Sequence, residues 1–355
     1  LGLMSESLGP GIPAFTATFP GTRDEDRAFS IMAAERFGSP WHEVEVHEPT
    51  EALLDRLAWH FDEPFADPSA VPTFLVCEEA RKHVTVCLSG DGGDETFGGY
   101  RRYRENEMIQ SILGILPKGG ASRLLGAAGR LAPDATWLPK PLRVRPLLRK
   151  AAKSPMIRYQ DEMSVCRTDQ KPSLYRAAFA SALGGYDALS TVEACFARSD
   201  PWGSTSQFQY TDFKTFLADG ILTKVDRASM AHGLEVRVPL LDHPLVEFFA
   251  SLPSSSKIGR GRGKEILKKS LRHVVPSEIL TRRKRGFTPP LAQWLSGGTG
   301  TLFERRVFHS SSFISGFLEM NAVRRVWDDH RAGIRSDTRL IWSILMLENW
   351  GLRFQ

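Results

Sequence analysis

The stretch Val86-Cys87-Leu88-Ser89-Gly90-Asp91-Gly92-Gly93-Asp94-Glu95 decides how the chain is interpreted. An apolar, β-branched run from Val84 to Leu88 predicts a buried strand, which small and acidic residues end abruptly. Glycines let the backbone pass close to a ligand, and uncovered amide groups suit phosphate oxygens. Carboxylates beside phosphate normally imply a divalent cation between them. The stretch therefore predicts half of a nucleotide pocket, and the alternative is a tight turn that binds nothing.

The first hundred residues alternate between strand and helix patterns. Strand patterns cover 13–19, 41–46 and 84–88, and helix patterns cover 24–37, 49–61 and 71–83. This alternation predicts an α/β fold, in which a twisted parallel sheet is flanked by helices. Ligands bind at the carboxyl ends of the strands in such sheets, and the loop from Ser89 to Glu95 lies at such an end.

The rest of the chain reads as helical, which suggests three parts. Residues 1–104 form a partial α/β core, 105–208 a helical insertion, and 209–355 a helical remainder. Within the remainder we predict helices over 212–232, 264–274 and 339–350, and Gly233 suits the position after a helix end.

Composition and cysteine usage narrow the class of protein. The 42% hydrophobic and 25% charged residues are typical of a globular protein. No apolar stretch approaches the roughly 20 residues that span a bilayer, so no membrane partner is expected. Neither is a signal peptide, because the first residues lack its pattern. The scattered cysteines show no paired spacing, which fits a reducing cytoplasm, and the apolar surroundings of Cys77 and Cys87 predict that these two are buried thiols.

Basic runs raise nucleic-acid binding as an alternative. The net charge is +5, and basic residues cluster at 101–104, 143–153 and 282–285. No recognition-helix, zinc-finger or RNA-binding aromatic signature accompanies these runs. We therefore interpret them as solvated faces or as contacts to an anionic small substrate, and expect no nucleic-acid partner.

Two later segments could complete the nucleotide pocket. Residues 222–242 alternate ions with apolar residues, and buried ions need partners. We predict a structural ion network in preference to direct catalysis, formed by Asp226, Arg227, Glu235, Arg237 and Asp242. A glycine-rich stretch at 259–263 precedes Lys264 at a helix start, where its ammonium could meet a phosphate that gains charge. The alternative is an exposed lysine.

Taken together and in this order, these segments resemble the synthetase domain of class-B, glutamine-dependent asparagine synthetases. The matching stretches are LSGDGGDETFGGY at 88–100, LTKVDRASMAHGLEVRVPLLD at 222–242, GKEILKKSL at 263–271 and RRKRGFTPPLAQWL at 282–295, with AFTATF at 14–19 and WHEVEV at 41–46. The resemblance implies an adenine-nucleotide alpha-hydrolase-like fold of the PP-loop ATP pyrophosphatase type, whose ATP-binding core lies within 1–104.

The resemblance also implies a reaction and a set of site residues. Members of this family use ATP and Mg²⁺ to adenylate a carboxylate, here most simply aspartate, and an amine then attacks the acyl-adenylate. Glutamine supplies the ammonia, and AMP and pyrophosphate are released. By similarity, the catalytic residues are Asp91, which orients substrate, and Lys264, which stabilises charge on the reacting phosphate. Asp94 is the magnesium ligand, and the nucleotide-binding residues are Ala17, Ser89, Gly90, Gly92, Tyr100 and Asp226.

Departures from the family pattern qualify these expectations. The SGGxDS pyrophosphate loop that follows the first strand in the family is missing from this sequence. The first strand and this loop are therefore expected to be absent, and so is the amino-terminal glutaminase domain. We therefore expect a fragment that is inactive alone.

Alternatives remain at this point. The chain could belong to a related amidotransferase or a β-lactam-synthetase-like enzyme that acts on another carboxylate, or it could be a non-catalytic binding remnant. The expected partners are small-molecule substrates, and a homodimer is a possible assembly.

Overall fold

The computed structural model describes most of the chain. The described residues are 1–22, 25–115, 125, 128, 144–166, 170–199, 203–258, 263–282 and 286–354. The predicted features between 116 and 143, apart from residues 125 and 128, lie outside the described residues, as do those at 259–262 and 283–285.

The described residues form four strands and a larger number of helices. The strands are β1 (Ala14–Thr18), β2 (Trp41–Glu45), β3 (Val86–Leu88) and β4 (Glu235–Arg237). The first helices are α1 (Gly2–Leu8), α2 (Glu25–Phe37), α3 (Glu51–Phe61), α4 (Ala70–Arg81), α5 (Gly93–Phe97) and α6 (Arg101–Ile115). The middle of the chain contains α7 (Val144–Ala151), α8 (Pro155–Met163), α9 (Lys171–Leu174), α10 (Ala177–Ala182), α11 (Leu189–Arg198), α12 (Ser204–Asp212), a π-helix (Phe213–Leu222) and α13 (Thr223–Met230).

The carboxyl-terminal part is helical. It contains a 3₁₀ turn (Pro239–Leu241), α14 (His243–Ser251), α15 (Ser254–Ile258), α16 (Glu265–Ser270), α17 (Ser277–Thr281), α18 (Leu291–Leu295), α19 (Gly298–Val307), a second 3₁₀ turn (Phe313–Gly316), α20 (Met320–Arg331) and α21 (Thr338–Phe354). The predicted helix over 264–274 is shorter than expected, since regular structure ends at Ser270, whereas α21 extends beyond the predicted 339–350.

The strands pair in parallel, as the α/β prediction requires. Ala14 lies opposite Trp41 in the β1–β2 pair, and Val86 lies opposite Glu235 in the β3–β4 pair. Within the described residues these are two separate two-stranded parallel sheets, which agree with the α/β class. Helix α4 supports both sheets, because Cys77 and Ala80 belong to a cluster against which side chains of both β1 and β3 pack.

The prediction that 84–88 is a buried strand is wrong in part. Strand β3 begins only at Val86, and the side chains of Val86 and Leu88 are 42% and 45% exposed. Cys87, which points to the opposite face, is half-buried. Alternate residues of a strand face opposite sides of the sheet, and the face that carries Val86 and Leu88 is the more exposed one.

One long helical run connects the helical middle of the chain to segment 222–242. Helix α12, the π-helix and α13 follow one another without a break from Ser204 to Met230. The predicted helix over 212–232 is therefore confirmed as helical from 212 to 230, although the run begins eight residues earlier than predicted. Gly233 follows it with φ +66°, a left-handed conformation that suits glycine. The proposed boundary at 208/209 falls inside this run, and the division into three parts stays a prediction.

The main core lies between α3, α4 and the carboxyl-terminal helices. Helix α3 illustrates how the sequence builds it, since the Thr50 side chain accepts a hydrogen bond from the Leu53 amide at 3.2 Å and caps the helix. Leu54, Leu57 and Phe61 then recur at helical spacing on one buried face. They pack in the same cluster as the buried stripe of α21. Among the described helices, none combines the length and apolar character that crossing a membrane requires.

Replacing a core aromatic residue tests this arrangement. Phe303 is fully buried, with its ring centroid 4.7 Å from that of Trp327. We expect Phe303→Ala to lower the free energy of unfolding by about 3–5 kcal/mol, because it leaves a cavity. Urea denaturation followed by circular dichroism measures this change. Phe248→Ala is the control, since Phe248 is 58% exposed, and its effect should stay within about 1 kcal/mol. Equal effects of the two changes would contradict the assigned core.

Candidate functional site

The loop after β3 is held in place from within and by β4. The Ser89 amide donates to the Arg237 carbonyl at 2.9 Å, which extends the parallel pairing by one step. The Ser89 hydroxyl donates to the Asp91 carboxylate, and the Asp91 amide donates back to the Ser89 hydroxyl oxygen at 3.2 Å. A Cβ on Gly90 would meet nothing within 4 Å, so the backbone there is open to an approaching ligand. Ser89 therefore orients Asp91 beside an uncovered stretch of backbone.

The end of segment 222–242 packs directly onto two glycines of this loop. A Cβ on Gly93 would lie 2.7 Å from Cδ1 of Leu240, and one on Gly92 would lie 2.7 Å from Cδ1 of Leu241. Gly92 also has φ +76°, where a side chain would be strained. The backbone conformation thus favours glycine at 92, and a Cβ at 92 or 93 would displace the leucines of the 3₁₀ turn at Pro239–Leu241.

A second close approach brings in the segment that carries Lys264. A Cβ on Gly263 would lie 2.8 Å from the Gly98 carbonyl oxygen, and Gly263 has φ +77°. On the other side of the contact, a Cβ on Gly99 would lie 2.6 Å from Cε of Lys264 and would overlap the Asp94 carboxylate. Two glycine-containing backbones therefore meet here with no room for side chains between them.

This contact places an ammonium against a carboxylate. Nζ of Lys264 lies 3.0 Å from Oδ1 of Asp94, and both side chains are mostly shielded from solvent. Lys264 has φ +57°, a left-handed conformation that costs a residue with a Cβ roughly 1–2 kcal/mol. Such strain clusters at functional sites, where the surrounding structure maintains it. Lys264 is the residue before α16, so the helix begins at Glu265.

The carboxylates at this site fit a metal ion whose other ligands come mainly from a bound substrate. The described residues contain no group of three or more His, Cys, Asp or Glu side chains that could hold a metal ion by themselves. Magnesium is usually bound through one or two carboxylates together with phosphate oxygens and water. Asp94 can supply such a ligand, with Lys264 as a second positive group at the same point.

Tyr100 and Glu95 form a buried polar pair behind the loop. The Tyr100 hydroxyl donates to the Glu95 carboxylate at 2.7 Å, and Glu95 is almost completely buried. Burial raises the pKa of Tyr100 well above its ordinary value, and the nearby Glu95 carboxylate acts in the same direction. The hydroxyl therefore keeps its proton and remains a donor to Glu95, which stabilises α5 from beneath.

Two of the predicted site residues lie apart from these contacts. Ala17 is buried near the carboxyl end of β1, opposite Val44 of β2. Asp226 is exposed on α13, and no side-chain contact among the described residues joins it to the loop at 89–94. A nucleotide role for either residue stays a prediction.

The predicted ion network in segment 222–242 is wrong. All five of its side chains are exposed, and the ion pair that the structure contains there is a surface pair, in which Arg237 donates to Glu235 at 2.7 Å. The charge that is buried in this segment is Lys224, whose ammonium donates to the Ser69 hydroxyl at 2.8 Å and lies 3.3 Å from Asp67. Alternation did not reveal which charge faces inward, since the segment changes from helix to strand within a few residues.

Sequence reasoning missed a buried charged cluster next to Tyr100. Arg102 donates to the Asp212 carboxylate from Nε at 3.0 Å and from Nη2 at 2.7 Å. The signal was present, because Asp212 stands alone among aromatic and uncharged residues in the stretch from Phe208 to Phe213. Such a lone charge on an otherwise uncharged helix calls for a partner if it is buried.

Several basic residues in the described parts of the basic runs form ion pairs within the chain. Arg101 donates to Glu105, and Lys150 donates to Glu105 at 2.7 Å and to Glu162 at 3.2 Å. Lys153 pairs with Asp161. These contacts favour the interpretation of the described parts of the runs as solvated faces, where the charges pair at the surface.

The cysteines have no chemistry to offer at this site. The four cysteines all lie within the described residues and form no disulfide with one another, and Cys77 is buried beneath β3. Burial raises the pKa of Cys77 to about 12, so its thiol is protonated and unreactive near neutral pH.

The glycine contact gives a direct test of the site. We expect Gly99→Ala to lower the free energy of unfolding by about 1–3 kcal/mol, because its Cβ would displace Lys264 and Asp94. Gly114→Ala is the matched control, since Gly114 lies in α6 and a Cβ there would meet nothing within 4 Å. Alanine at 114 should raise stability by up to about 1 kcal/mol, because it favours the helix. Thermal and urea unfolding measure both, and a neutral Gly99→Ala would refute the close approach.

Comparison with known proteins assigns the chain to a family. A family model for asparagine synthase matches residues 1–352. The chain is similar to "Asparagine synthetase [glutamine-hydrolyzing] 1" of Bacillus subtilis, with 32% identity over 307 residues that cover 86% of this chain and 46% of the relative. It is similar to "Putative asparagine synthetase [glutamine-hydrolyzing]" of Mycobacterium tuberculosis, with 33% identity over 348 residues, 96% of this chain and 50% of the relative.

A more distant similarity reaches a differently named protein. "Amidase chyE" of Penicillium rubens is 24% identical over 361 residues, which cover 91% of this chain and 50% of that protein. The chain thus spans about half the length of the curated relatives it matches. Since the family model covers nearly every residue, the chain belongs to the asparagine synthase family.

Proposed function

We propose that this chain is the synthetase part of an ATP-dependent carbon–nitrogen ligase that converts a carboxylate, with aspartate as the first candidate, into its amide. The carboxylate is adenylated by ATP, ammonia derived from glutamine attacks the acyl-adenylate, and AMP and pyrophosphate leave. The observation that carries the proposal is the 3.0 Å pair of Lys264 and Asp94, at the point where three separate segments converge.

Each site residue has a chemical task in this proposal. The exposed backbone at Gly90 would bind phosphate oxygens, which suit uncovered N–H groups. Lys264 offsets negative charge that develops on the reacting phosphate, and such a preorganised charge acts most strongly where water is excluded. Asp91, oriented by Ser89, positions the carboxylate substrate or the adenylate.

Magnesium is the proposed metal at Asp94. Bound there together with ATP, it would neutralise the pyrophosphate leaving group. The Lys264 ammonium contacts the same carboxylate, so the lysine and the metal would place two positive charges beside the phosphates of ATP.

The acceptor carboxylate is open to a second candidate within the same chemistry. The similarity to a protein named an amidase, over 91% of this chain, favours considering carboxylates other than aspartate. The small-molecule substrates, a cytoplasmic location and a homodimeric assembly are proposed on the family resemblance alone.

The proposed function is tested by pyrophosphate release and AMP formation in the full natural polypeptide, with Mg·ATP, glutamine and a panel of carboxylates. We expect amide formation with aspartate, and Lys264→Ala should lower the rate by about 10²-fold or more, because it removes a charge aimed at the reacting phosphate. Lys269→Ala, an exposed lysine of the same short helix, is the matched control and should keep the rate. Amidation of a different carboxylate would select the second candidate, and no AMP with any carboxylate would point to a non-catalytic protein.

Residues 1–355 by themselves should not make an acyl-adenylate. The two sheets of the described residues are separate, and the sequence contains no SGGxDS loop to supply further amides to pyrophosphate. Incubation of this chain with ATP, magnesium and aspartate should therefore release no pyrophosphate above the blank in a coupled phosphate assay. Release that depends on aspartate would overturn this prediction.

A further inference from the structure

Asp212 is the anchor of a buried polar cluster that joins three helices. Its carboxylate is completely buried at the end of α12 and accepts hydrogen bonds from Arg102 and Tyr103 of α6. The hydroxyl of Tyr159, which comes from α8 in the helical middle of the chain, donates to the other carboxylate oxygen at 2.8 Å. Burial by itself would lower the pKa of Arg102, but the Asp212 carboxylate raises it above its ordinary value. The cluster therefore holds an ion pair whose lone pairs are filled by tyrosine hydroxyls.

Arg102 connects Asp212 to the loop after β3 at residues 89–95, which we call the nucleotide loop. Its guanidinium lies 3.8 Å from the centre of the Tyr100 ring, within the range of a cation–π contact. Tyr100 in turn donates to Glu95, the neighbour of Asp94 in α5. Contacts from Asp212 through Arg102 and Tyr100 thus end one residue from the proposed magnesium ligand.

A second contact links the same helix to the same loop. The Gln209 side chain, one turn before Asp212, donates to the Glu95 carbonyl at 2.8 Å and is buried. Helix α12 therefore supports α5 in two ways. Gln209 binds a backbone carbonyl of α5, and Asp212 binds Arg102, which stacks on Tyr100. Buried ions tolerate little displacement, because losing a partner leaves an uncompensated charge in an apolar environment. The position of Tyr100 consequently depends on every donor to Asp212.

We propose that Asp212 and Arg102 are positioning residues for the nucleotide loop, and that Tyr159 makes the helical middle of the chain a determinant of where Tyr100 sits. The sequence assigns no role to this helical middle, whereas the cluster makes it part of the support of the site. The geometry of the coupling is independent of the reaction, and its effect on nucleotide binding rests on the proposed function.

A double-mutant cycle on residues 1–355 tests the coupling without any ligand. The two changes are Tyr159→Phe, which removes one donor to Asp212, and Tyr100→Leu, which removes the ring beneath Arg102. Their combined effect on the unfolding equilibrium constant should differ from the product of the single effects by about threefold or more. A combined effect that lies within about twofold of the product of the single effects would overturn the proposal.

Phe196→Leu provides the matched control for packing. The Phe196 ring lies 5.8 Å from the Tyr159 ring, in the same buried cluster. Paired with Tyr100→Leu, this change should be additive, because it perturbs the apolar neighbours and leaves all donors to Asp212 in place. Equal coupling in the control cycle would show that ring packing causes the effect. It would overturn the proposed coupling through the donors to Asp212.

The functional arm measures Mg·ATP affinity in the full natural polypeptide by isothermal titration, at a temperature where every variant is folded. Tyr159→Phe should weaken binding by about threefold or more, and Phe196→Leu should leave the affinity unchanged. A coupled cycle with unchanged affinity would overturn the positioning role and leave only a structural cluster. A coupled cycle in a protein whose wild type binds no Mg·ATP would refute the proposed function and support the positioning of Tyr100.

Discussion

The close approach of two glycine-containing backbones is the constraint on which the site depends. Gly98 and Gly99 follow α5, and Gly263 precedes Lys264, and a Cβ at 99 or 263 would collide with the opposite segment. Since the backbones can touch, a lysine far away in sequence reaches a carboxylate of the loop. The left-handed conformation of Lys264 is maintained by the same contact. A larger residue at either glycine would separate the two charges before any chemistry could take place.

The second support of the site is electrostatic. The Arg102–Asp212 pair is shielded from water and surrounded by the hydroxyls of Tyr103 and Tyr159, so its partners share one fixed arrangement. A buried ion pair of this kind adds little net stability, yet it restricts the number of ways in which the helices can pack. The π-helix that begins at Phe213 lies directly between this pair and segment 222–242. Wide turns of this type are frequent at functional sites.

Predictions from local sequence pattern were most accurate where a residue type has one main structural role. The parallel pairing of β1 with β2, the capped helix α3 and the glycine after the helix ending at Met230 follow from periodicity and turn chemistry. Predictions about burial fared worse. Val86 and Leu88 were expected in a covered strand and are exposed, and the charges expected to be buried near 226–242 lie at the surface. Burial depends on what covers a face, which local pattern does not contain.

The sequence by itself determined the α/β character of the first hundred residues, the family, and the residue types of the loop at 89–94. It could do so because strand and helix periods, glycine positions and clustered carboxylates are local properties of the chain. Only the tertiary structure decided that Lys264 meets Asp94, that Leu240 and Leu241 pack on the loop glycines, and that Asp212 is held by Arg102 and Tyr159. These contacts join residues more than fifty positions apart, and their formation depends on packing and burial across the whole fold, which no local pattern encodes.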